Sequence, residues 1–399
     1  MLIATACSGA ASGESDWVPQ PNFQQNNEPQ PQLPDNGVVP DDPQPSAPGS
    51  QAPNPSDPSR GSSPSPSPSA PAFDPAVVAT KLNQPTGIVV LPDGSALVGE
   101  RTTGRILRVQ PKPGLAVQPV RTLPGIDGSG DGGLLDLALS PSFSEDGLIY
   151  AYITTASDNR VVHFTLTSAA SPVITGIPKG PVDNVGRIAF DATGALLTGT
   201  GDAGQPDLAQ SASSLAGKIL RTTDLGQVPS DNPTPGSMIY ASGLRTVNGL
   251  CIDPRTGNRF ATSAGAPGGA TNAPDSVKMI KAGSDYGWPI PRSTPGGPSQ
   301  PVPSTSSGVG GCTIINSHFT VATSTSMSVV VATVNQTATM QSFTNTIQKK
   351  YGRLRSVVSA PDGALWLTTS NRDGHGTPTA TDDRVIRILS SETGGPNVV

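Results

Sequence analysis

Along residues 75–399, apolar and polar positions repeat in a fixed order. A short apolar segment leads into a turn rich in Pro, Asp and Gly, and a second segment of small and apolar residues follows it. Residues of these types supply the backbone angles that hairpin turns require. The pattern predicts antiparallel strand pairs, with turns at residues 91–94, 140–147, 191–194, 253–257 and 360–363.

The spacing of these turns predicts the architecture. Successive turns are about 50, 50 and 60 residues apart, and the last gap is about twice as long, which leaves room for a degenerate sixth unit around residues 319–343. A repeat of this length with several short strands is typical of a β-propeller, and an array of β-sandwiches is the alternative. Because a closed ring removes exposed strand edges, we predict an all-β, six-bladed β-propeller over residues 75–399. Its last strand, 384–389, should pair near the first, 77–79.

The first eighty residues have a different composition. Seventeen of the 43 prolines lie between Pro19 and Pro75, with Gln, Asn and Ser between them. Such a chain buries too few apolar groups to offset its ordering entropy, so residues 8–74 are predicted to be a disordered tether. Residues 1–80 carry a net charge of −7 and the rest +2. The repeat region has no basic stripe, so a nucleic-acid partner is not expected.

The N-terminus itself predicts a lipid anchor. Residues 1–7 end in a small-residue stretch before Cys7, which resembles a bacterial lipobox whose cysteine receives a diacylglyceryl group. The stretch is short for a signal peptide and no basic residues precede it, so a chance Ala-Cys pair is the alternative. A Pro/Ser tether directly after the cysteine suits an exported protein held at the outer surface of the cell membrane. No run of 18 apolar residues predicts a membrane-spanning helix.

The other two cysteines, Cys251 and Cys312, form an even pair once Cys7 is lipidated. In an exported protein this number predicts one disulfide, because disulfides persist outside the cytoplasm. Two unpaired, buried thiols are the alternative.

Several short motifs occur in a set order along residues 80–390. They include Pro85-Thr86-Gly87-Ile88, Gly132-Gly133-Leu134-Leu135, Gly199-Thr200-Gly201-Asp202, Tyr286-Gly287-Trp288-Pro289 and Arg353-Leu354-Arg355. Together they resemble the glucose/sorbosone dehydrogenases, which are soluble quinoproteins. Within that family, the tether, the lipobox and the two later cysteines look most like actinobacterial lipoproteins of the LppZ type.

The resemblance implies a pocket at one end of the propeller axis that holds pyrroloquinoline quinone (PQQ) and calcium and oxidises an aldose. This chemistry needs a base for the sugar hydroxyl, cations for the cofactor carboxylates and oxygen ligands for the metal. The column of the family's catalytic histidine holds Asp183, three residues before Gly186. A carboxylate can act as the base, although an exposed Asp has a pKa of about 3.9, far from neutrality. An ordinary loop aspartate is the alternative.

The same resemblance assigns cofactor-binding residues. Asp131 falls where the family has a pocket glutamine. Arg245 matches a family arginine, while the family's histidine and asparagine on either side of it are replaced in this sequence. Arg353 and Arg355 match an arginine pair, and strand alternation places both on one face. The family's cofactor lysine falls near Asn335.

For calcium, the resemblance points to backbone carbonyls. The matching positions are Gly265 and Ala266, with Asp275 following. His163, His318 and His375 are scattered singly, so they are predicted to be structural or surface residues rather than a metal set.

Two functions remain open from the sequence. The first is a surface-anchored sugar dehydrogenase using PQQ and calcium, with Asp183 or a water replacing the histidine. The second is a propeller without this chemistry that binds a sugar, a cell-envelope carbohydrate or a protein partner. The missing histidine favours the second function, and the three arginines favour the first.

Overall fold

Six four-stranded antiparallel sheets make up the protein in the computed structural model, which describes residues 74–266, 274–290 and 298–389. The innermost strands of neighbouring sheets contact one another around a closed ring. The prediction of an all-β, six-bladed propeller is therefore confirmed. Cys7 and the predicted tether, apart from Asp74, lie outside the described residues.

The chain enters the ring through β1 (Val77–Ala79), which belongs to the last blade, and then forms blades 1 to 3 from the axis outward. Blade 1 contains β2 (Pro85–Val90), β3 (Ala96–Glu100), β4 (Arg105–Val109) and β5 (Gln118–Thr122). Blade 2 contains β6 (Leu134–Leu139), β7 (Ile149–Thr154), β8 (Asn159–Phe164) and β9 (Ser171–Ile177). Blade 3 contains β10 (Gly186–Phe190), β11 (Leu196–Thr200), β12 (Ile219–Thr222) and β13 (Ile239–Ala241).

Blades 4 to 6 follow the same order from the axis outward. Blade 4 contains β14 (Gly249–Ile252), β15 (Arg259–Ser263), β16 (Ser276–Ile280) and β17 (Ser299–Pro301). Blade 5 contains β18 (Val309–Ile315), β19 (His318–Thr323), β20 (Val329–Val334) and β21 (Met340–Thr346). Blade 6 contains β22 (Leu354–Ser359), β23 (Ala364–Thr369), β24 (Val385–Leu389) and, outermost, β1.

Helical segments are short. One α-helical turn, α1, spans Phe143–Asp146, and 3₁₀ turns span Pro206–Ala209 and Ser304–Ser306. Among the described residues, no helix has the length and apolar character needed to cross a bilayer.

The predicted turns form because Asp and Gly meet two different needs of a tight hairpin. In blade 1, the Asp93 carboxylate accepts the Ser95 N–H at 3.0 Å, while Gly94 adopts a φ of +81°. In blade 3, Asp191 accepts the Thr193 N–H at 2.9 Å and Gly194 adopts a φ of +80°. A positive φ costs glycine little, which is why this turn recurs along the chain.

The hydrophobic core is divided among the interfaces between adjacent blades, where six buried clusters lie. Between blades 2 and 3, a Cβ atom on Gly186 would lie 2.2 Å from the Tyr152 ring, so only glycine allows this approach. The Tyr152 side chain is buried there.

Two links close the ring and join its blades. Strand β1 pairs with β24, with Val77 opposite Ile386 and Ala79 opposite Val385, as the sequence predicts. Cys251 in β14 and Cys312 in β18 form a disulfide with a Cα–Cα distance of 5.8 Å. The predicted pairing is therefore confirmed, and it connects blades 4 and 5.

A buried arginine crosslinks the innermost strands near the axis. Arg187 donates from Nε to the Asn248 carbonyl at 2.6 Å and from Nη1 to Ser356 Oγ at 3.0 Å and Asp136 Oδ1 at 3.3 Å. Ser356 Oγ donates in turn to the Thr86 carbonyl at 2.6 Å. Five blades thus share one polar network, which forms the floor of the site described next.

Candidate functional site

The loops at the start of the innermost strands surround a cavity of about 270 Å³, here called the mouth cavity. Its floor includes Thr86 and Asn248 of the axial network. Five blades contribute to its wall. The charged and imidazole-bearing residues that line it are Arg101, Asp131, Asp183, Arg353, Arg355, Asp373 and His375.

Arg355 lies in β22 and Arg353 directly precedes it. Both line the mouth cavity, but their partners differ. Arg353 forms an ion pair with Asp373 through Nε at 3.1 Å and Nη2 at 3.0 Å. The Arg355 guanidinium has no hydrogen-bond or ion-pair partner among the described residues. Burial lowers the pKa of Arg355 to about 10, and the positive charges of Arg187 and Arg101 act in the same direction. Arg355 therefore presents an unpaired positive charge to the cavity.

Arg101 adds a second cation that is held mainly by neutral groups. It donates to the Gln84 side-chain oxygen from Nε at 2.9 Å and to the carbonyls of Gly130 and Gly132 at 2.8 Å. Burial lowers the pKa of Arg101, and the charge of Asp131 opposes this effect. The sequence interpretation gave Arg101 no role, because two of its partners, Gly130 and Gly132, lie in the loop that leads into blade 2.

Asp183 lies at the opposite wall in a strained loop, with a φ of 55°. Its N–H donates to Asp131 Oδ2 at 2.8 Å, which brings these two predicted residues together. Burial raises the pKa of the Asp183 carboxyl, and Asp202 and Asp131 add to the rise, while Arg245 opposes it. Asp183 is therefore partly buried, and its surroundings shift its pKa upward from that of an exposed aspartate.

Arg245 pairs with Asp183 instead of facing Arg353 and Arg355. Its Nη2 lies 3.0 Å from Asp183 Oδ2 and 3.3 Å from Oδ1. Its guanidinium carbon lies 6.0 Å from the centre of the Trp288 ring. Arg245 itself lines a second cavity beside the mouth. The three predicted arginines thus divide between two adjoining cavities, with Asp183 between them.

The predicted calcium position is filled by hydrogen bonds within the protein. Arg245 Nη1 donates to the Gly265 carbonyl at 2.5 Å. Asp275 accepts the N–H groups of Gly265 at 2.7 Å and of Gly308 at 2.6 Å. Ala266 lines the second cavity. Within the described part of the chain, no group of three or more His, Cys, Asp or Glu side chains is placed to hold a metal.

Asn335 and His375 have surroundings that the sequence did not predict. Asn335 caps the turn between β20 and β21 by accepting the N–H groups of Thr337 and Thr339, and it does not line the mouth cavity. His375 is exposed, as predicted for a surface residue, but it lies at the rim of the mouth cavity. Its N–H donates to Asp373 Oδ1 at 2.9 Å.

Comparison with known proteins assigns this arrangement to a family. The family model for glucose/sorbosone dehydrogenase matches residues 82–306, which is more than half of the 399-residue chain. The chain belongs to the glucose/sorbosone dehydrogenase family. The matched span includes Arg101, Asp183 and Arg245, and it ends before β22.

Relatives of this family member include proteins named as sugar dehydrogenases. The aldose sugar dehydrogenase YliI of Escherichia coli is 29% identical over 232 residues, covering 54% of this chain and 61% of the relative. Quinoprotein glucose dehydrogenase B of Acinetobacter calcoaceticus is 29% identical over 257 residues, covering 54% of this chain and 52% of the relative. The matched regions therefore span less than two thirds of these curated relatives.

Solved structures match a larger share of the chain. The PQQ-bound aldose sugar dehydrogenase of Streptomyces coelicolor is 36% identical, with a TM-score of 0.71 over 78% of this chain and 95% of that one. A putative glucose dehydrogenase of Thermus thermophilus is 32% identical, with a TM-score of 0.70 over 78% of this chain and 98% of that one.

The mouth of this glucose/sorbosone dehydrogenase family member fits an acidic cofactor better than it fits calcium. An unpaired guanidinium beside a second arginine is a receptor for a carboxylate, as Arg355 and Arg353 provide. The Gly265 carbonyl and the Asp275 carboxylate already accept hydrogen bonds from within the protein. The arginines present therefore suit the carboxylates of PQQ, while the described groups of the predicted calcium position, at Gly265 and Asp275, accept hydrogen bonds from within the protein.

Proposed function

We propose that this protein oxidises an aldose or a related sugar, with PQQ bound in the mouth cavity. Membership of the glucose/sorbosone dehydrogenase family and the similarity to a PQQ-bound aldose sugar dehydrogenase support this function. The observation that carries the proposal is the unpaired Arg355 guanidinium. Arg355 is partly exposed where it lines the mouth cavity, so its guanidinium is open to a carboxylate ligand.

In the proposed reaction, Asp183 is the base. One of its carboxylate oxygens accepts the proton of the sugar hydroxyl that is oxidised. Burial raises the pKa of Asp183 towards neutrality, where a general base works best, and contact with Arg245 keeps the carboxylate charged. Arg245 also fixes the orientation of the carboxylate through its two hydrogen bonds.

The remaining mouth residues bind and orient. Arg355 and Arg353 hold the cofactor carboxylates by charge-assisted hydrogen bonds. When bound, PQQ supplies the acceptor for the hydride that leaves the sugar carbon. Arg101 adds a positive charge that offsets part of the charge of Asp131 and Asp183, which lessens the repulsion that these carboxylates exert on an acidic cofactor. No step of this proposal uses calcium.

The proposed function is tested by sugar-dependent reduction of an electron-accepting dye by the full chain loaded with PQQ. A panel of aldoses should give turnover that depends on both PQQ and sugar. If PQQ binds but no sugar in the panel reduces the dye, the dehydrogenase function is wrong.

That result would favour the second function, a propeller that binds a sugar, a cell-envelope carbohydrate or a protein without turnover. One observation supports this alternative. Both oxygens of Asp183 accept hydrogen bonds from Arg245, which lowers the tendency of the carboxylate to take a proton.

We also propose that the protein is exported and anchored to the outer surface of the cell membrane through a lipid on Cys7. The lipobox-like residues before Cys7 and the Pro/Ser-rich stretch after it support this location. The disulfide between Cys251 and Cys312 supports it independently, since disulfides persist in oxidising compartments. Mass spectrometry of the mature protein should show Cys7 as the lipidated N-terminal residue. An unmodified peptide extending upstream of Cys7 would contradict the anchor.

A further inference from the structure

Beside the mouth lies a second cavity of about 170 Å³, here called the side cavity. Its back wall is the sheet of blade 4. Ser263 in β15 lies directly opposite Ser276 in β16, and Lys278 follows two residues later on the same face. Ala264 lines both the side cavity and the mouth cavity, so the two adjoin.

Lys278 gives the side cavity a positive charge that no carboxylate of the described residues pairs with. Its amino group donates to Ser299 Oγ at 3.1 Å and lies 5.6 Å from the centre of the Tyr286 ring. It forms no ion pair among the described residues. Burial lowers the pKa of Lys278 to about 8, so the amino group stays mostly protonated at neutral pH. The other cation of the side cavity, Arg245, is already paired with Asp183.

The rest of the wall suits a sugar. Hydrogen bonds fix the rings of Tyr286 and Trp288, whose polar groups donate to the Met279 carbonyl and to Asp202 Oδ2, the latter at 2.8 Å. Both rings line the side cavity, and each has a cation over one face, Arg245 over Trp288 and Lys278 over Tyr286. The Ser263 and Ser276 hydroxyls have no hydrogen-bond partner among the described residues. Fixed rings, free hydroxyls and one unpaired cation together recognise a polyhydroxylated ligand that carries a negative charge.

We propose that the side cavity binds the carboxylate of an acidic sugar, such as a uronic acid, with Lys278 as the residue that selects the charge. The statement that the bound sugar is also the substrate rests on the proposed function. Because Arg245 lines the side cavity and pairs with Asp183, a sugar bound there lies beside the Asp183–Arg245 pair. The specificity of the site then differs from that of a site built for neutral aldoses.

The test is direct binding to the full chain without PQQ, so that it does not depend on turnover. Titration calorimetry compares D-glucuronate and D-galacturonate with D-glucose and with D-glucose 6-phosphate. The sugar acids should bind at least tenfold more tightly than D-glucose. Equal binding of charged and neutral sugars, or no binding of either sugar acid at about 10 mM, would overturn the proposal. Preference for the phosphate over both sugar acids would also overturn the assignment to a carboxylate.

Variants separate the charge of Lys278 from its bulk. Lys278→Met keeps the aliphatic stem and should reduce sugar-acid affinity to the level of D-glucose, whereas Lys278→Arg should retain the preference for acids. The matched control is Lys281→Met, which removes an exposed lysine just beyond β16 and should change nothing. Unchanged sugar-acid binding by a folded Lys278→Met protein would refute the role of Lys278.

The outcome of this test is distinguishable from failure of the proposed function. If sugar acids bind through Lys278 but PQQ-loaded protein does not oxidise them, the side cavity is established and the dehydrogenase proposal fails. If PQQ-loaded protein oxidises neutral aldoses, binds sugar acids no more tightly than D-glucose, and Lys278→Met changes neither property, the dehydrogenase proposal stands and the acidic-sugar inference fails.

Discussion

Arg353 and Arg355 are two residues apart and both line the mouth cavity, yet only Arg353 is neutralised by an ion pair within the protein. The difference comes from a loop of the same blade, which places Asp373 beside Arg353. Asp183 shows the same dependence on its neighbours, because burial raises the pKa of its carboxyl and Arg245 lowers it. At the scale of single residues, the partners of each charge determine what it can bind.

Asp183 is the residue whose replacement tests the proposed chemistry. Asp183→Asn should lower turnover by about 10²- to 10⁴-fold, the range for loss of a general base, while PQQ still binds. Because burial raises the pKa of Asp183, wild-type turnover should fall as pH decreases through that pKa and the base becomes protonated. Initial rates across pH measure both effects.

The control for this change is Asp224→Asn, at an exposed aspartate outside the mouth cavity. It should leave turnover and its pH profile unaltered. Full activity in the Asp183→Asn protein would remove Asp183 from the mechanism.

Asp383 offers a separate test at the level of stability. This buried carboxyl accepts the Asn371 N–H at 2.6 Å and the Thr369 hydroxyl at 3.1 Å, while its Oδ2 has no partner among the described residues. Burial raises the pKa of Asp383 to about 6. A carboxyl that binds its proton more tightly in the folded state destabilises the fold when ionised. Its contribution to stability should therefore increase as pH falls from 7 towards 4.

Asp383→Asn should remove this dependence and stabilise the protein at pH 7 by up to about 3 kcal/mol, the equivalent of two pKa units. The measurement is denaturant unfolding of both proteins at pH 5 and pH 7. The difference in the free energy of unfolding between Asp383→Asn and the wild type should be smaller at pH 5 than at pH 7. A difference that grows on acidification would contradict the raised pKa.

At the scale of elements, sequence patterns predicted the hairpins well because their turns contain residues with special backbone preferences. The predicted turn in blade 6 contains Gly363 with a φ of +78°. The turn between β18 and β19 was missed because Asn316 and Ser317 adopt positive φ angles of 46° and 67° without glycine. The location of the degenerate unit was nevertheless predicted, since its strands lie over residues 309–346. Outermost strands such as β5 and β17 leave little signal because most of their residues are exposed or only partly buried.

The disulfide between β14 and β18 makes a prediction about how two blades are held together. It closes a loop with a sequence separation of 61 residues, and a loop of this size restricts the unfolded chain substantially. Replacing both Cys251 and Cys312 with serine should lower the free energy of unfolding by about 2–4 kcal/mol. Denaturant unfolding with and without a reductant measures the effect. The reductant should destabilise the wild type and leave the double variant unchanged. Equal stability of the wild type and the double variant without reductant would contradict the prediction.

At the scale of the whole molecule, ring closure brings together residues that are far apart in the sequence. Asp183 and its partner Arg245 are 62 positions apart, and Ser356 donates to a carbonyl 270 positions away. Strand alternation predicted that Arg353 and Arg355 share a cavity, because that argument stays within one strand. The pairing of Arg245 with Asp183 and Gly265, and the positions of Arg101 and Lys278, depend on how loops of different blades meet. Local pattern carries no information about such contacts.

The central claim is that the unpaired Arg355 makes the mouth a receptor for the carboxylates of PQQ without a calcium ion at Gly265. Its most direct test is titration of the full chain with PQQ, followed by quinone absorbance. Wild-type protein should bind at micromolar concentrations with or without a calcium chelator. Arg355→Gln should bind about ten- to a hundredfold more weakly, as expected for loss of a charge-assisted hydrogen bond, and the exposed control Arg255→Gln should match wild type. No binding at about 50 µM PQQ, or unchanged affinity in Arg355→Gln, would contradict the account.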